Sequence, residues 1–437
     1  MNNKGFTLIE LLAVVILLIT ISLFVMPKIV DVIKEGDKTK ENITKNKIIE
    51  AAKEYTSNYD TNFLNDLVNV GDSKYIDKEE LINNKLLDTK DIGDIPFIKV
   101  KVILKEDNKI EYIIVDSATV SRPNYGNAVD YINNLYDIED FRKEDGLKKD
   151  NTSDANIRYE GANPNNYVKF NDELWRIIGV FGDNIKLVRS EELGKLSWDI
   201  SDSSVNNGWG VNEWSQADLI EYLNTMYYGG TSVTCYVDGN NSTTTCPTGS
   251  LNSTSKSMIN NYTWNTGAIN VEDATIANQE TFTLNTVPFY NAERGSVNGK
   301  ICTSGNNCND TVTRSTTWQG YVALPYATDW AYASSETACA TNMYDGFDVA
   351  NRNYDNMTCK KNNWMHHGST MNEAMWMLSP RAHYGSADGV WGVDGDGGVN
   401  IYVASSALSV FPTVYLNSDV NIVSGSGTSS APYILGV

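Results

Sequence analysis

Residues 6–26 read FTLIELLAVVILLITISLFVM, an apolar run of 21 residues whose only charge is Glu10. As a helix rising about 1.5 Å per residue, such a run spans a ~30 Å hydrocarbon core. Only Met1-Asn2-Asn3-Lys4-Gly5 precedes it. A secretory signal has a shorter apolar segment followed by a small-residue cleavage site. Here the run continues through Pro27 into the charged stretch Lys28–Lys53. Lys4 holds the leader on the cytoplasmic side under the positive-inside rule. The expectation is therefore a single-pass protein of the cytoplasmic (inner) membrane, in contact with it through Phe6–Met26 and exposing the rest on the cell surface.

Charge and residue type divide the chain into two parts. Across 437 residues the net charge is −20, which argues against nucleic acid as a partner. Residues 1–150 hold 21 Lys+Arg and 27 Asp+Glu, whereas residues 151–437 hold only 14 and 28. All ten Trp fall between Trp175 and Trp391, and all six Cys between Cys235 and Cys359.

Beyond Pro27, apolar residues such as Ile33, Ile48, Ala51, Ala52, Tyr55 and Tyr59 recur near helical spacing, so a helix is expected over 6–59. Asp77 and Glu80 mark a helix start. Phe97–Leu104 and Lys109–Val115 alternate around Glu106-Asp107-Asn108, a hairpin pattern that gives residues 60–117 a small antiparallel head. Residues 118–157 are polar and turn-rich and read as a linker, with a short helix around Val129–Leu135. From 158 to 437 the texture is that of one loop-rich α+β domain. Strands are expected at Tyr167–Phe170, Leu174–Phe181 and Ile185–Arg189, and later at Trp376–Leu378, Val390–Val393, Val399–Val403 and Val410–Leu416. Helices are expected from an N-cap at Ser215 and over Thr254–Tyr262.

Lys4-Gly5 followed by Phe6-Thr7-Leu8-Ile9-Glu10-Leu11-Leu12, with Pro27 at the position of a helix kink, resembles a type IV prepilin. The resemblance implies a leader over 1–5, cleavage between Gly5 and Phe6 by a prepilin peptidase, methylation of the new Phe6 amino group, and assembly with other pilin subunits. A carboxylate among lipid tails requires a partner, and the amino terminus of a neighbouring subunit would supply one for Glu10. The head departs from the family in being short and in lacking a disulfide-closed terminal loop.

Three segments, Tyr167–Val180, Trp376-Met377-Leu378-Ser379-Pro380 and Phe411-Pro412-Thr413-Val414-Tyr415-Leu416, carry a second resemblance. They are similar to extracellular domains attached to prepilin-type N-termini and, more distantly, to the C-type-lectin-like superfamily that includes formylglycine-generating-enzyme-like domains. The implied fold class is α+β: a long N-terminal transmembrane and pilin helix with its small head, then a lectin-like domain with disulfide-pinned loops.

Six Cys in an exported region read as a disulfide framework, and their spacing favours Cys235–Cys246, Cys302–Cys308 and Cys339–Cys359. Metal binding is the rival reading, but no C-x-x-C pair exists. His366, His367 and His383 are the only histidines, and neither a nucleophile elbow nor a phosphate-binding loop occurs, so an enzyme is not expected. Asp388, Asp394 and Asp396 lie among glycines and offer oxygen ligands to calcium; turn residues between two strands explain them equally. The stretch containing His383, Tyr384, Trp391, Asn400 and Tyr402 combines aromatics with small polar residues, as recognition loops do. The alternative is that Trp391 and Tyr402 pack the sheet.

Together these readings lead to a minor or tip type IV pilin that presents an adhesive domain to an unknown glycan or protein ligand on a surface. The alternatives are a pseudopilin serving secretion or DNA uptake, and a membrane-tethered receptor that does not polymerise.

Overall fold

Helical spacing of apolar residues is realised in a helix over 42–54, which continues as one wider π turn, Tyr55–Tyr59. The turn widens where the Thr56 and Ser57 hydroxyls donate to the Lys53 carbonyl at 3.1 and 2.8 Å, competing with the helix ladder. The computed structural model describes residues 42–68, 70, 73–88, 90, 97–116, 122–201, 206–238, 242–278, 283–297, 300–301, 310–344, 356–366, 374–395 and 397–437. Gly5, Phe6, Glu10 and the apolar run lie outside them.

Among the described residues no helix is long and apolar enough to cross a membrane. The longest helical stretch, 42–59, carries Lys45, Lys47, Glu50, Lys53 and Glu54. The expected architecture is corrected accordingly: the fold is mixed α/β, rich in strands and built with short helices, and among the described residues no long transmembrane helix is found. The single-pass membrane location depended on that helix and is not supported.

The chain divides into two units, Met1–Ser121 and Arg122–Val437. In the first, Ser73–Asp77, Phe97–Leu104 and Ile110–Asp116 form an antiparallel sheet in sequence order. Asp107 adopts φ +59° in the connecting turn, a conformation that Asp tolerates better than most residues. The Glu80 carboxylate accepts from the Asp77 N–H at 3.1 Å and starts the helix Lys78–Asn83. Ile48, Ala52, Tyr55, Ile76, Leu81, Val100 and Val102 close an apolar core.

In the second unit Tyr167–Phe170, Glu173–Phe181 and Asn184–Arg189 run antiparallel in sequence order. Asn171 and Asp172, at φ +57° and +60°, supply the left-handed pair that a two-residue hairpin turn requires. These strands belong to a ten-stranded sheet in which Tyr433–Gly436 pairs parallel with Tyr167–Phe170, and Asn421–Ser424 pairs with Gly126–Asn127. A five-stranded sheet has the order Lys195–Ser197, Ala407–Ser409, Met375–Pro380, Gly389–Val393, Val399–Val403.

Of the segment 118–157, read from sequence as a linker, the described residues 122–157 belong to this unit. The helix Ala128–Asp137 buries Tyr131, Ile132 and Leu135, and Arg122 donates to both oxygens of the buried Asp145 at 2.8 and 2.7 Å. The Ser215 helix start is also corrected: a 3-10 turn, Trp214–Gln216, precedes the short helix Asp218–Ile220, which widens into a π-helical run, Glu221–Tyr228. The second expected helix is Ser253–Met258, capped by Asn252, and Tyr262 already belongs to a strand.

Four of the buried charged residues of this unit form one cluster. Asp329 accepts from Arg158 Nη1 at 2.8 Å, Lys186 Nζ at 2.5 Å and the Tyr326 N–H at 3.0 Å. Burial raises the Asp329 pKa, but Lys186 and Arg158 outweigh it and leave the carboxyl below its usual range. Burial pushes Lys186 down to about 8 against the pull of Asp329. Asp150 accepts from Arg158 Nε at 2.6 Å and from Thr152 and Asn156. Two cations and two anions thus neutralise one another, a condition for keeping charge in a core.

Candidate ligand-recognition site

Three loops meet at one end of the five-stranded sheet: the stretch after Lys195–Ser197, the loop between Met375–Pro380 and Gly389–Val393, and the turn after Val399–Val403. Backbone hydrogen bonds join them. Trp198 N–H donates to the Ala404 carbonyl at 2.8 Å, Asn212 N–H to that of Ala387 at 2.7 Å, Ala404 N–H to that of Asp388 at 2.7 Å, and Ser405 N–H to that of Trp209 at 3.0 Å.

Asn212, with no exposed surface, is the knot. Its amide nitrogen donates to the Arg381 carbonyl at 2.9 Å and the Gly389 carbonyl at 2.6 Å. Its side-chain oxygen accepts from Arg314, which is buried against Asp310 at 2.7 Å. Gly210, at φ +83°, carries the chain past the Asp199 carbonyl, and a Cβ there would stand 2.4 Å from that oxygen. The Asp199 carboxylate accepts from the Val211 N–H at 2.6 Å and the Asp218 N–H at 3.3 Å. Burial, with the charge of Asp218 adding to it, pushes its pKa up to about 7 despite those bonds.

This frame holds two aromatic side chains in solvent: Trp209 is 50% exposed and Tyr384 66%. Beside Tyr384, the His383 ring lies 4.8 Å away, centroid to centroid, and accepts from the Gly385 N–H at 3.0 Å through Nδ1. Its Nε2 stands 4.0 Å from Glu272.

The other expected recognition residues point elsewhere. Trp391 is wholly buried, edge-on to Phe289 at 5.1 Å, and corrects the expectation that it meets a ligand. The Tyr402 hydroxyl donates to Asp394, which also accepts from the Asn400 amide at 3.3 Å, so all three residues brace the hairpin internally. Gly392 gives that ring its room: a Cβ there would lie 3.0 Å from Tyr402 Cδ2.

Of the aspartates expected to hold calcium, the two that are described are not brought together. Asp388 precedes and Asp394 follows the strand Gly389–Val393, so about 20 Å of extended chain separates them. Asp396 lies outside the described residues. Among the described residues, no group of three or more His, Cys, Asp or Glu is placed to hold a metal ion.

Two of the expected cysteine pairs are disulfides: Cys235–Cys246, with Cα atoms 5.1 Å apart, and Cys339–Cys359, at 5.6 Å. Cys302 and Cys308 lie outside the described residues. Sequence reasoning misses Trp209, Asn212 and Arg314, although a Trp between glycines in Asn206-Asn207-Gly208-Trp209-Gly210 is a signal for a displayed ring. Comparison with protein-family models, curated proteins and solved structures finds no match to this chain.

Proposed function

We propose that this chain is a pilin-type subunit, of minor or tip kind, that displays residues 122–437 outside the cell as an adhesive, ligand-binding unit. The observation that carries the binding role is the pair of exposed rings, Trp209 and Tyr384, on loops tied together through the buried Asn212. A rigid aromatic side chain offers flat contact area at low entropic cost, whether to a sugar ring or to a protein surface. Asn207 and Ser386 in the same loops bring adaptable hydrogen-bonding groups.

Two supports bear on location and assembly. The disulfides suit an oxidising exterior. The motif Lys4-Gly5-Phe6-Thr7-Leu8-Ile9-Glu10 supports cleavage after Gly5, with Glu10 as the assembly contact to a neighbouring pilin.

The test is attachment of cells carrying the Trp209→Ala, Tyr384→Ala double variant. Attachment should drop at least tenfold while the amount of displayed protein stays constant; undiminished attachment would reject the binding role. Immunogold labelling of sheared fibres should place the protein at fibre ends. Label on cell bodies alone would reject the pilin role.

A further inference from the structure

The strand pair Leu147–Lys149 and Ile157–Tyr159 and the helix Thr337–Thr341 enclose a pocket of about 120 Å3, apart from the aromatic loops. Its lining includes three cationic side chains, Lys148, Lys149 and Arg158, together with Tyr332, Thr337 and Ala340.

Arg158 is 2% exposed, and two of its three nitrogens are engaged: Nε with Asp150 at 2.6 Å and Nη1 with Asp329 at 2.8 Å. The third, Nη2, is buried without a hydrogen-bond partner. Buried guanidinium donors normally find an acceptor. The carboxylates nearby are already committed, Asp150 to Thr152, Asn156 and Arg158, and Asp329 to Lys186 and Tyr326 as well. Glu160, also in the lining, is held by Lys148 at 3.2 Å. Lys149 places its ammonium 5.1 Å from the Tyr136 ring centre instead of on a carboxylate. The pocket thus has cationic donors in excess of its anions, beside an aromatic ring and a methyl group.

We propose that this pocket binds a small carboxylate with a compact apolar body, its charge answered by Lys149 and Arg158 and its body resting on Tyr332 and Ala340. This ligand is separate from the surface met by Trp209 and Tyr384, so the two proposals stand or fall independently.

The test uses the full chain and benzoate as probe, with benzamide as the neutral analogue of equal shape, followed by calorimetry. Arg158 is unsuited to substitution because it also holds the core; Lys149 and Thr337 are exposed and leave the core intact. Benzoate should bind saturably and at least tenfold more tightly than benzamide. Lys149→Gln should weaken benzoate at least fivefold, and Thr337→Phe should block it, with native Trp emission retained in both variants. Trp209→Ala should leave it unchanged. Equal binding of benzoate and benzamide, no saturation by 20 mM benzoate, or indifference to both pocket substitutions would overturn the proposal.

Discussion

The two units use opposite means to hold themselves together. In the first, sheet neighbours are consecutive strands, and among the described residues the buried side chains are apolar apart from the Tyr55 and Thr56 hydroxyls. In the second, strands far apart in sequence are paired, and Arg158, Lys186, Asp150 and Asp329 sit among the aromatics. A local fold can rely on burying apolar surface alone. A large loop-rich unit fixes its long connections with specific, directional bonds, whose loss is costly because each leaves a partner stranded.

The contrast is sharpest at Asp329. Asp329→Ala strands Lys186 and Arg158 without their shared counter-charge and should cost about 3–5 kcal/mol. All ten Trp lie in the second unit, so Trp emission in a urea titration reports this loss alone. Unchanged emission midpoints would break the comparison. The reciprocal change is Leu81→Ala, at a fully buried position of the first unit, with an expected cost of about 3 kcal/mol. Hydrogen exchange over 73–116 should accelerate while the Trp transition stays in place.

Acidity provides a finer probe. Burial lifts Asp199 and Glu293 each to about 7, so the folded unit takes up protons that the unfolded chain has already released. Stability is then greatest at the acid end of the window from about pH 4 to 7, falls as pH rises through it, and levels off above it. Asp199→Asn should make that slope shallower by at most one proton, about 1.4 kcal/mol per pH unit, as read from thermal unfolding at successive pH values. A slope identical to that of the parent chain would remove Asp199 from the account. The smallest effect on stability is expected at the exposed rings: Trp209→Ala and Tyr384→Ala should each change it by about 0.5 kcal/mol or less. A larger loss in urea titrations would make those rings structural.

Local signals are legible in the sequence. The hairpin Phe97–Leu104 with Ile110–Asp116 follows from alternation around an Asp-Asn turn, and the strands on either side of Asn171-Asp172 follow from the same logic. Cys235 and Cys339 find partners 11 and 20 residues away, as their spacing suggests. What sequence hides is pairing over distance. Arg122, Asp145 and Arg158 look like surface charges because a polar side chain does not reveal whether its partner is water or a residue in another strand. Trp391 and Trp209 are the same residue type in similar glycine-rich surroundings, and only the fold buries one and displays the other. The aspartates around 388–396 group together by closeness in sequence, although a strand holds Asp388 and Asp394 apart.

The parallel pairing of Tyr433–Gly436 with Tyr167–Phe170 has a consequence in time. The partners are separated by about 265 residues, which at roughly 5–20 residues per second take some tens of seconds to synthesise. Through that interval the Tyr167–Phe170 strand has an edge that waits for its neighbour. The loops closed by Cys235–Cys246 and Cys339–Cys359 span only 11 and 20 residues. The second unit therefore cannot complete its large sheet until nearly the whole of it has emerged.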